Sequence, residues 1–249
     1  MRTIIIGDIH GCIDELKALI NQLELNPNDS LFFIGDLINK GPDSVGVVQY
    51  LYALSKTYSI SLILGNHEEK FLRYLQHKQT NSKALATMKI TPDFELLAQN
   101  LNPDEIEFLK QSFYNYYLEQ LNLVLVHGGI TKNCKVDFKI NSPYNSEKRN
   151  SELELLTKTR FLDSNGKFVS LGSENETTPF WADVYDGRHG KVVFGHHSFI
   201  QNSPSYFPHA IGIDNGCVYG GYLTALIFTD KKMTFTTTKA NTIYSTNYV

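Results

Sequence analysis

The chain of 249 residues is poor in sulfur, in tryptophan and in net charge, with three cysteines, three methionines, one tryptophan and a formal charge of −3. Cys12, Cys134 and Cys217 are odd in number and show no C-x-x-C spacing, which argues against a disulfide framework and a zinc knuckle. The small negative charge and a pI near 6.2 provide no global attraction to duplex nucleic acid or to an acidic membrane surface. No apolar stretch approaches the length of a membrane span, and the three-residue apolar core of MRTIIIGDIH is too short for a signal peptide. The expectation is a soluble, cytoplasmic protein with no membrane or duplex partner. Repeats and low-complexity linkers are also missing. Hydrophobic residues at 42% and charged residues at 20% are ordinary globular usage, which points to one domain over 1–249.

What the chain does have is a series of short apolar runs that each stop at glycine and polar residues. Thr3–Ile6 stops at Gly7-Asp8, Leu31–Ile34 at Gly35-Asp36, and Ile60–Leu64 at Gly65-Asn66-His67. Leu123–Val126 stops at His127-Gly128-Gly129, and Val192–Phe194 at Gly195-His196-His197. Runs of this length, rich in Ile, Val and Phe, predict buried strands. Ile13, Leu16, Leu19, Ile20 and Leu23 share one helical face directly after GDIHG, and Val45–Leu54 carries a weaker helical pattern. Strands alternating with helices define an α/β fold.

The middle of the chain differs. Asn102-Pro103-Asp104-Glu105 is a helix start with Asn as cap and Pro in the first turn. Helices over 92–100 and 103–112 are predicted, as part of a helical insertion of about 77–120 that caps the crevice. Phe113–Leu118 and Leu121–Val126 flank Glu119-Gln120 as a hairpin, residues 141–151 form a loop, and strands alternate from Tyr222 onward. Four aromatics, Phe113, Tyr114, Tyr116 and Tyr117, are expected in the core rather than stacked on a base. Arg188 is expected in a surface turn.

In open α/β sheets the residues beyond the carboxyl ends of strands line the binding crevice. If the five strands are parallel neighbours, one crevice collects Asp8, His10, Asp36, Asn66, His67, His127 and His196. Carboxylate, amide oxygen and neutral imidazole together suit divalent first-row metals. Asp8 and His10, two apart on an extended chain, point to one side and can grip one ion. Asn66, His127 and His196 can grip a second, with Asp36 as the bridge, which is the arrangement two-metal hydrolysis requires. Any one of these residues alone is more often a turn, a cap or a hydrogen-bonded core histidine. Five glycine-flanked strand ends, each presenting a metal-competent group, reverse that preference.

These blocks, GDIHG (7–11), GDLINKGPDS (35–44), GNHE (65–68), HGG (127–129) and GHH (195–197), continue into IDNGCVYGGYLTAL (213–226). In that order they resemble the phosphoprotein phosphatase branch of the calcineurin-like metallophosphoesterases. GDIHGCIDEL, TKTRFLDSNGK and GCVYGG look most like bacterial symmetrical diadenosine tetraphosphatases, with small prokaryotic protein phosphatases nearly as similar. The resemblance implies a four-layer α-β-β-α sandwich with two central mixed sheets. It implies Asp8, His10 and Asp36 on one metal, and Asp36, Asn66, His127 and His196 on the other, with Mn foremost and Fe, Zn, Co or Ni as alternatives. His67 takes the place of the proton donor, while His197 falls outside the ligand set. The implied reaction is attack of a metal-activated hydroxide on phosphorus, at a phosphoanhydride or a phosphomonoester.

The chain departs from the family at Asn39-Lys40, where members acting on proteins have Asp-Arg. Asn39 can accept a hydrogen bond from His67 but carries no charge, and Lys40 cannot clamp a phosphate bidentately as Arg does. This inclines the reading toward a dinucleoside polyphosphate substrate over a phosphoprotein. A serine/threonine or tyrosine protein phosphatase is the alternative, and a non-catalytic phosphate-binding module is the rival from another class. A further phosphate contact falls on Lys158 by spacing or on Arg160 by chemistry. Cys12 and Cys217 are expected to be small buried residues near the site.

Overall fold

The structure is a computed structural model that describes residues 1–148, 150–230 and 232–246. Apolar runs of four residues build its first three strands, β1 (Thr3–Ile6), β2 (Ser30–Phe33) and β3 (Ser59–Leu62), which lie side by side and parallel. The next strands, β4 (Phe113–Leu118), β5 (Leu123–Val126) and β6 (Ser142–Pro143), belong to a second sheet. A separate hairpin follows, β7 (Phe161–Leu162) against β8 (Phe168–Val169). Then β9 (Lys191–Phe194), β10 (Ser205–Tyr206) and β11 (Ala210–Gly212) complete the second sheet in the order β10-β11-β9-β5-β4-β6. Last come β12 (Asp214–Asn215), β13 (Tyr222–Thr229) and β14 (Lys232–Lys239), which return to the first sheet, with β13 antiparallel to β1. Both large sheets are therefore mixed, as the resemblance implies.

The alternation of side chains along the strands separates the layers. Ile5, Phe32, Leu123, Leu125, Val193, Ile211 and Leu226 form one buried cluster drawn from both sheets. Their neighbours Ile4, Ile6, Leu31 and Phe33 face the other way and share a core with Leu16, Leu19, Val47 and Leu51. Those last four come from α1 (Ile13–Leu23) and α2 (Ser44–Leu54), the helices that cover the first sheet. The two sheets thus stack face to face, and they are joined at one edge where Ile63 bridges Phe113.

This topology corrects the expectation of five parallel neighbours. Only β1, β2 and β3 are neighbours in the first sheet, while β5 and β9 pair in the second. The crevice arises because the two stacked sheets end together, not because one sheet edge carries every group.

The helical middle begins with α3 (Asn66–Gln79) and continues through α4 (Pro92–Asn100) and α5 (Pro103–Lys110). Asn102 caps α5 by accepting from the Asp104 and Glu105 amides, and Glu105 reaches back to the Asn102 amide at 2.8 Å. The hairpin of β4 and β5 closes through a turn at Glu119–Leu121 and a left-handed Asn122, so its connection is longer than Glu119-Gln120. Asn tolerates that conformation where Glu-Gln pairs do not make tight turns. Within the expected loop 141–151, Ser142–Pro143 pairs with β4 and a helix opens at Ser151; Arg149 lies outside the described residues. Of the four hairpin aromatics only Tyr114 is buried; Phe113, Tyr116 and Tyr117 are half-buried, with Tyr116 against Phe32 and Phe113. No helix among the described residues is long and apolar enough to cross a membrane.

Candidate metal centre

The chain turns sharply where the strands end. His10, Asp36, Asn39, Lys40 and His196 all have φ between 48° and 73°, a left-handed conformation that side chains with a Cβ rarely adopt. Such strain collects where a site over-determines the backbone. It also corrects the geometric argument for Asp8 and His10, because His10 is not on an extended chain. Asp8 turns instead toward the second sheet, where its Oδ2 accepts from the His196 amide at 3.0 Å. Gly65 shows why glycine flanks these turns, since a Cβ there would collide with the Asp36 amide.

Asp36 occupies the centre. Its Oδ1 lies 3.2 Å from His127 Nε2, and its Oδ2 lies 3.4 Å from His10 Nε2. One carboxylate therefore offers a separate oxygen to each of two clusters, His10-Asp36-His67 and Asp36-His127-His196. Asn66 joins the second cluster, its Oδ1 being 3.1 Å from His127 Nε2.

Backbone carbonyls select the tautomers. His10 Nδ1 donates to the Ile38 carbonyl at 3.1 Å and His127 Nδ1 to the Ile34 carbonyl at 2.7 Å. Each ring then turns Nε2 to the crevice, the nitrogen through which it can hold a cation in place of a proton. Around His127 Nε2 stand Asp36 Oδ1, Asn66 Oδ1 and His196 Nδ1, all within 3.2 Å. So many acceptors converging in a buried place require a cation. Asp8 Oδ1 and His196 Nε2 are buried without a partner among the described residues. At His10 Nε2 the Lys40 ammonium stands 3.2 Å away, supplying positive charge. The donor set fits divalent metal ions.

The electrostatics agree. Burial opposes a proton on His127, but the charges of Asp36 and Asp8 outweigh it and raise the ring to about 9. A field that retains a proton so strongly is one that a cation would fill. Burial and the repulsion of Asp214 push the Asp8 carboxyl up, whereas the surrounding histidines outweigh burial at Asp36 and hold it well below the usual range.

His67 is different. Its Nδ1 faces Asn39 Nδ2 at 2.9 Å, while Asn39 Oδ1 accepts from Thr91 Oγ1 at 2.9 Å. Asn39 thus donates to His67 rather than accepting from it, contrary to expectation, because Thr91 takes up its oxygen. The proton of His67 is left on Nε2, facing the crevice, which is the opposite tautomer to His10 and His127. Burial and nearby positive charge lower the ring to about 4 despite the pull of Asp36.

Of the two cations considered for phosphate, Arg160 reaches the site and Lys158 does not. Arg160 donates through Nη2 to the His196 carbonyl at 2.8 Å, and its Nε is buried without a partner among the described residues. Lys158 is exposed, with its ammonium over the Phe168 ring. Lys40 donates to Tyr219 Oη at 2.8 Å. His197 is held among Phe161, Phe180 and Phe199, away from the ligand clusters. Arg188 pairs with Asp186 at the surface. Cys12 and Cys217 are buried.

Sequence reasoning missed Glu68. Its carboxylate accepts from the amides of Asp36, Leu37, Ile38 and Gly65, at 2.8 to 3.2 Å, and so clamps the turn that carries the bridging aspartate. Burial and the Asp36 charge push it up to about 7, against the pull of His127 and the bonds from the Ile38 and Asp36 amides. The signal was available: a Glu three residues into a helix reaches back to the preceding turn. Thr91 was missed as well, and no local pattern marks it.

Residues 1–229 match the calcineurin-like phosphoesterase family. The chain is 30% identical to a bis(5'-nucleosyl)-tetraphosphatase, PrpE [asymmetrical], of Oceanobacillus iheyensis, over 93% of this chain and 90% of that one. It is also 30% identical to a symmetrical bis(5'-nucleosyl)-tetraphosphatase of Yersinia pestis, over 93% and 91%. A solved structure described provisionally as a diadenosine tetraphosphatase shares 29% identity with a TM-score of 0.69, over 95% of this chain and 93% of that one. A Saccharomyces cerevisiae protein serine/threonine phosphatase shares the fold alone, at 15% identity and a TM-score of 0.63, over 97% and 81%. The chain belongs to the calcineurin-like phosphoesterase family. It is a hydrolase of phosphate ester or anhydride bonds, and the family implies divalent metal ions at this crevice.

Proposed function

We propose that the chain hydrolyses a phosphoanhydride bond of a symmetrical dinucleoside tetraphosphate, with two divalent cations, Mn²⁺ foremost. Asp8, His10 and Asp36 would hold one, and Asp36, Asn66, His127 and His196 the other. When bound, the cations supply charge neutralisation for the phosphoryl oxygens and acidify a water. Lys40, beside His10, would bind the phosphate as a point charge, and Arg160, beside His196, through its guanidinium. His67 hydrogen-bonds the leaving oxygen through Nε2–H.

The observation that carries the choice of substrate is the amide against His67. Among the described residues no carboxylate stands at Nδ1 to support an imidazolium, so an alkoxide leaving from serine receives little protonation. A phosphate leaving from an anhydride needs only a hydrogen bond. Relatives named as tetraphosphatases support the same reading.

Diadenosine tetraphosphate, a serine phosphopeptide and an aryl phosphate offered in parallel with Mn²⁺ test the proposal. Cleavage of the tetraphosphate to two ADP is the expected result, with the phosphopeptide slow. Turnover of the phosphopeptide alone would establish the protein phosphatase reading, AMP plus ATP would establish asymmetrical cleavage, and no turnover at saturating metal would favour a binding module.

A further inference from the structure

The leaving group departs on the His67 side of the crevice, so whatever lies beyond His67 meets the leaving group. His67 opens α3, and Lys70 stands three residues on, on the same face and about 4.5 Å further along the axis. Arg73 follows at the same spacing, and its partner is Glu69 at 3.5 Å. A second cation approaches from the segment before α4. Met88 and Thr91 are both extended, and Thr91 points its hydroxyl at Asn39. Lys89 lies two residues before Thr91, is exposed, and stands near enough to Lys70 for the two ammoniums to repel. Among the described residues, neither Lys70 nor Lys89 is in ion-pair contact with a carboxylate.

We propose that Lys70 and Lys89 form an anion subsite for the second phosphate of the leaving group, the one beyond the phosphate that carries the leaving oxygen, so that the enzyme selects leaving groups with at least two phosphates. The inference rests on the proposed phosphoryl hydrolysis with His67 at the leaving side, and it adds which part of the substrate is recognised. Lys70 is partly buried, and its ammonium is held below its ordinary range by burial and then by the repulsion of Lys89 and Arg73. Three cations gathered beside a phosphate-cleaving crevice, with one acidic partner between them, lack an anion. A nucleoside diphosphate supplies one there, a nucleoside monophosphate cannot, and a serine side chain carries none.

The test uses the Mn²⁺-loaded enzyme with ADP and AMP as inhibitors of aryl phosphate turnover, at fixed free Mn²⁺. ADP is expected to inhibit about tenfold more tightly than AMP. Lys70→Gln combined with Lys89→Gln removes that preference, while Lys70→Arg keeps it. Equal inhibition by the two nucleotides in the native enzyme, or a preference that survives the double substitution, overturns the subsite. The reading is separable from the proposed function, because the inhibition ratio is obtained even if the tetraphosphate is not cleaved. If it is cleaved, the double variant also lowers the ratio of tetraphosphate to aryl phosphate kcat/KM about tenfold.

Discussion

The ends of β1, β2 and β3 deliver Asp8, His10, Asp36, Asn66 and His67, whereas those of β5 and β9 deliver His127 and His196. The first edge carries the carboxylates, most of the left-handed turns and the Glu68 clamp. The second carries two imidazoles, and each is registered against the first: His127 Nδ1 on the Ile34 carbonyl, and the His196 amide on Asp8. One sheet therefore builds the charge, and the other is indexed to it through the layer between them.

Asp36 is shared by both edges, so Asp36→Asn is expected to produce the largest effect. We expect activity to fall on the order of 10³-fold and bound metal, measured by elemental analysis after dialysis, to fall in both clusters. Retention of one full equivalent would mean that the clusters are independent. Next is Asn39→Asp, which alters only the first edge. A carboxylate beside His67 Nδ1 is expected to raise turnover of alkyl phosphates on the order of 10²-fold and that of an activated aryl phosphate far less. Equal gains on both would remove the leaving-group explanation.

Leu125→Ala and Leu16→Ala separate the layer between the sheets from the layer under the helices, since both side chains are fully buried. Each is expected to cost about 2–5 kcal/mol in urea unfolding. Only Leu125→Ala should also weaken metal affinity, about 10- to 100-fold as for a lost supporting contact, because it loosens the strand that holds His127. The smallest effect belongs to the opposite end of the first sheet, where Arg2 bonds Asp29 through its backbone amide and its Nε, both at 3.0 Å. Burial raises the Asp29 carboxyl, but bonds from Arg2 and Asn26 outweigh it and hold the group below its ordinary value. That stabilisation is present above the ordinary carboxylate pKa and is lost as pH falls through the folded one. Asp29→Asn should then cost about 1–3 kcal/mol at neutral pH, with the gap narrowing below about pH 4 and activity unaltered at pH 7.

Much of this was legible in the chain itself. The runs Thr3–Ile6 and Leu123–Val126 are strands with the bounds their apolar residues suggest, and the face Ile13–Leu23 is a helix. Both are local patterns, set by the period of side chains along the backbone. The residues gathered at the crevice were also legible, because five glycine-flanked strand ends that each present a metal-competent group outweigh together the turn and cap readings that each allows alone. Not legible were the orientation of the Asn39 amide and the separation of Arg160 from Lys158. The first depends on Thr91, more than fifty positions away in sequence, and the second on which side chain the fold turns inward.

The sequence by itself determined which elements form and which groups stand at their ends, because hydrophobic period, glycine and capping chemistry act over a few residues. Only the tertiary structure decided that these ends come from two sheets, that Asp36 turns one oxygen to each cluster, and that His67 keeps its proton toward the crevice. Those outcomes depend on the stacking of Ile5, Phe32, Leu125 and Val193 between the sheets and on hydrogen bonds that span the chain, and neither is written in any local pattern.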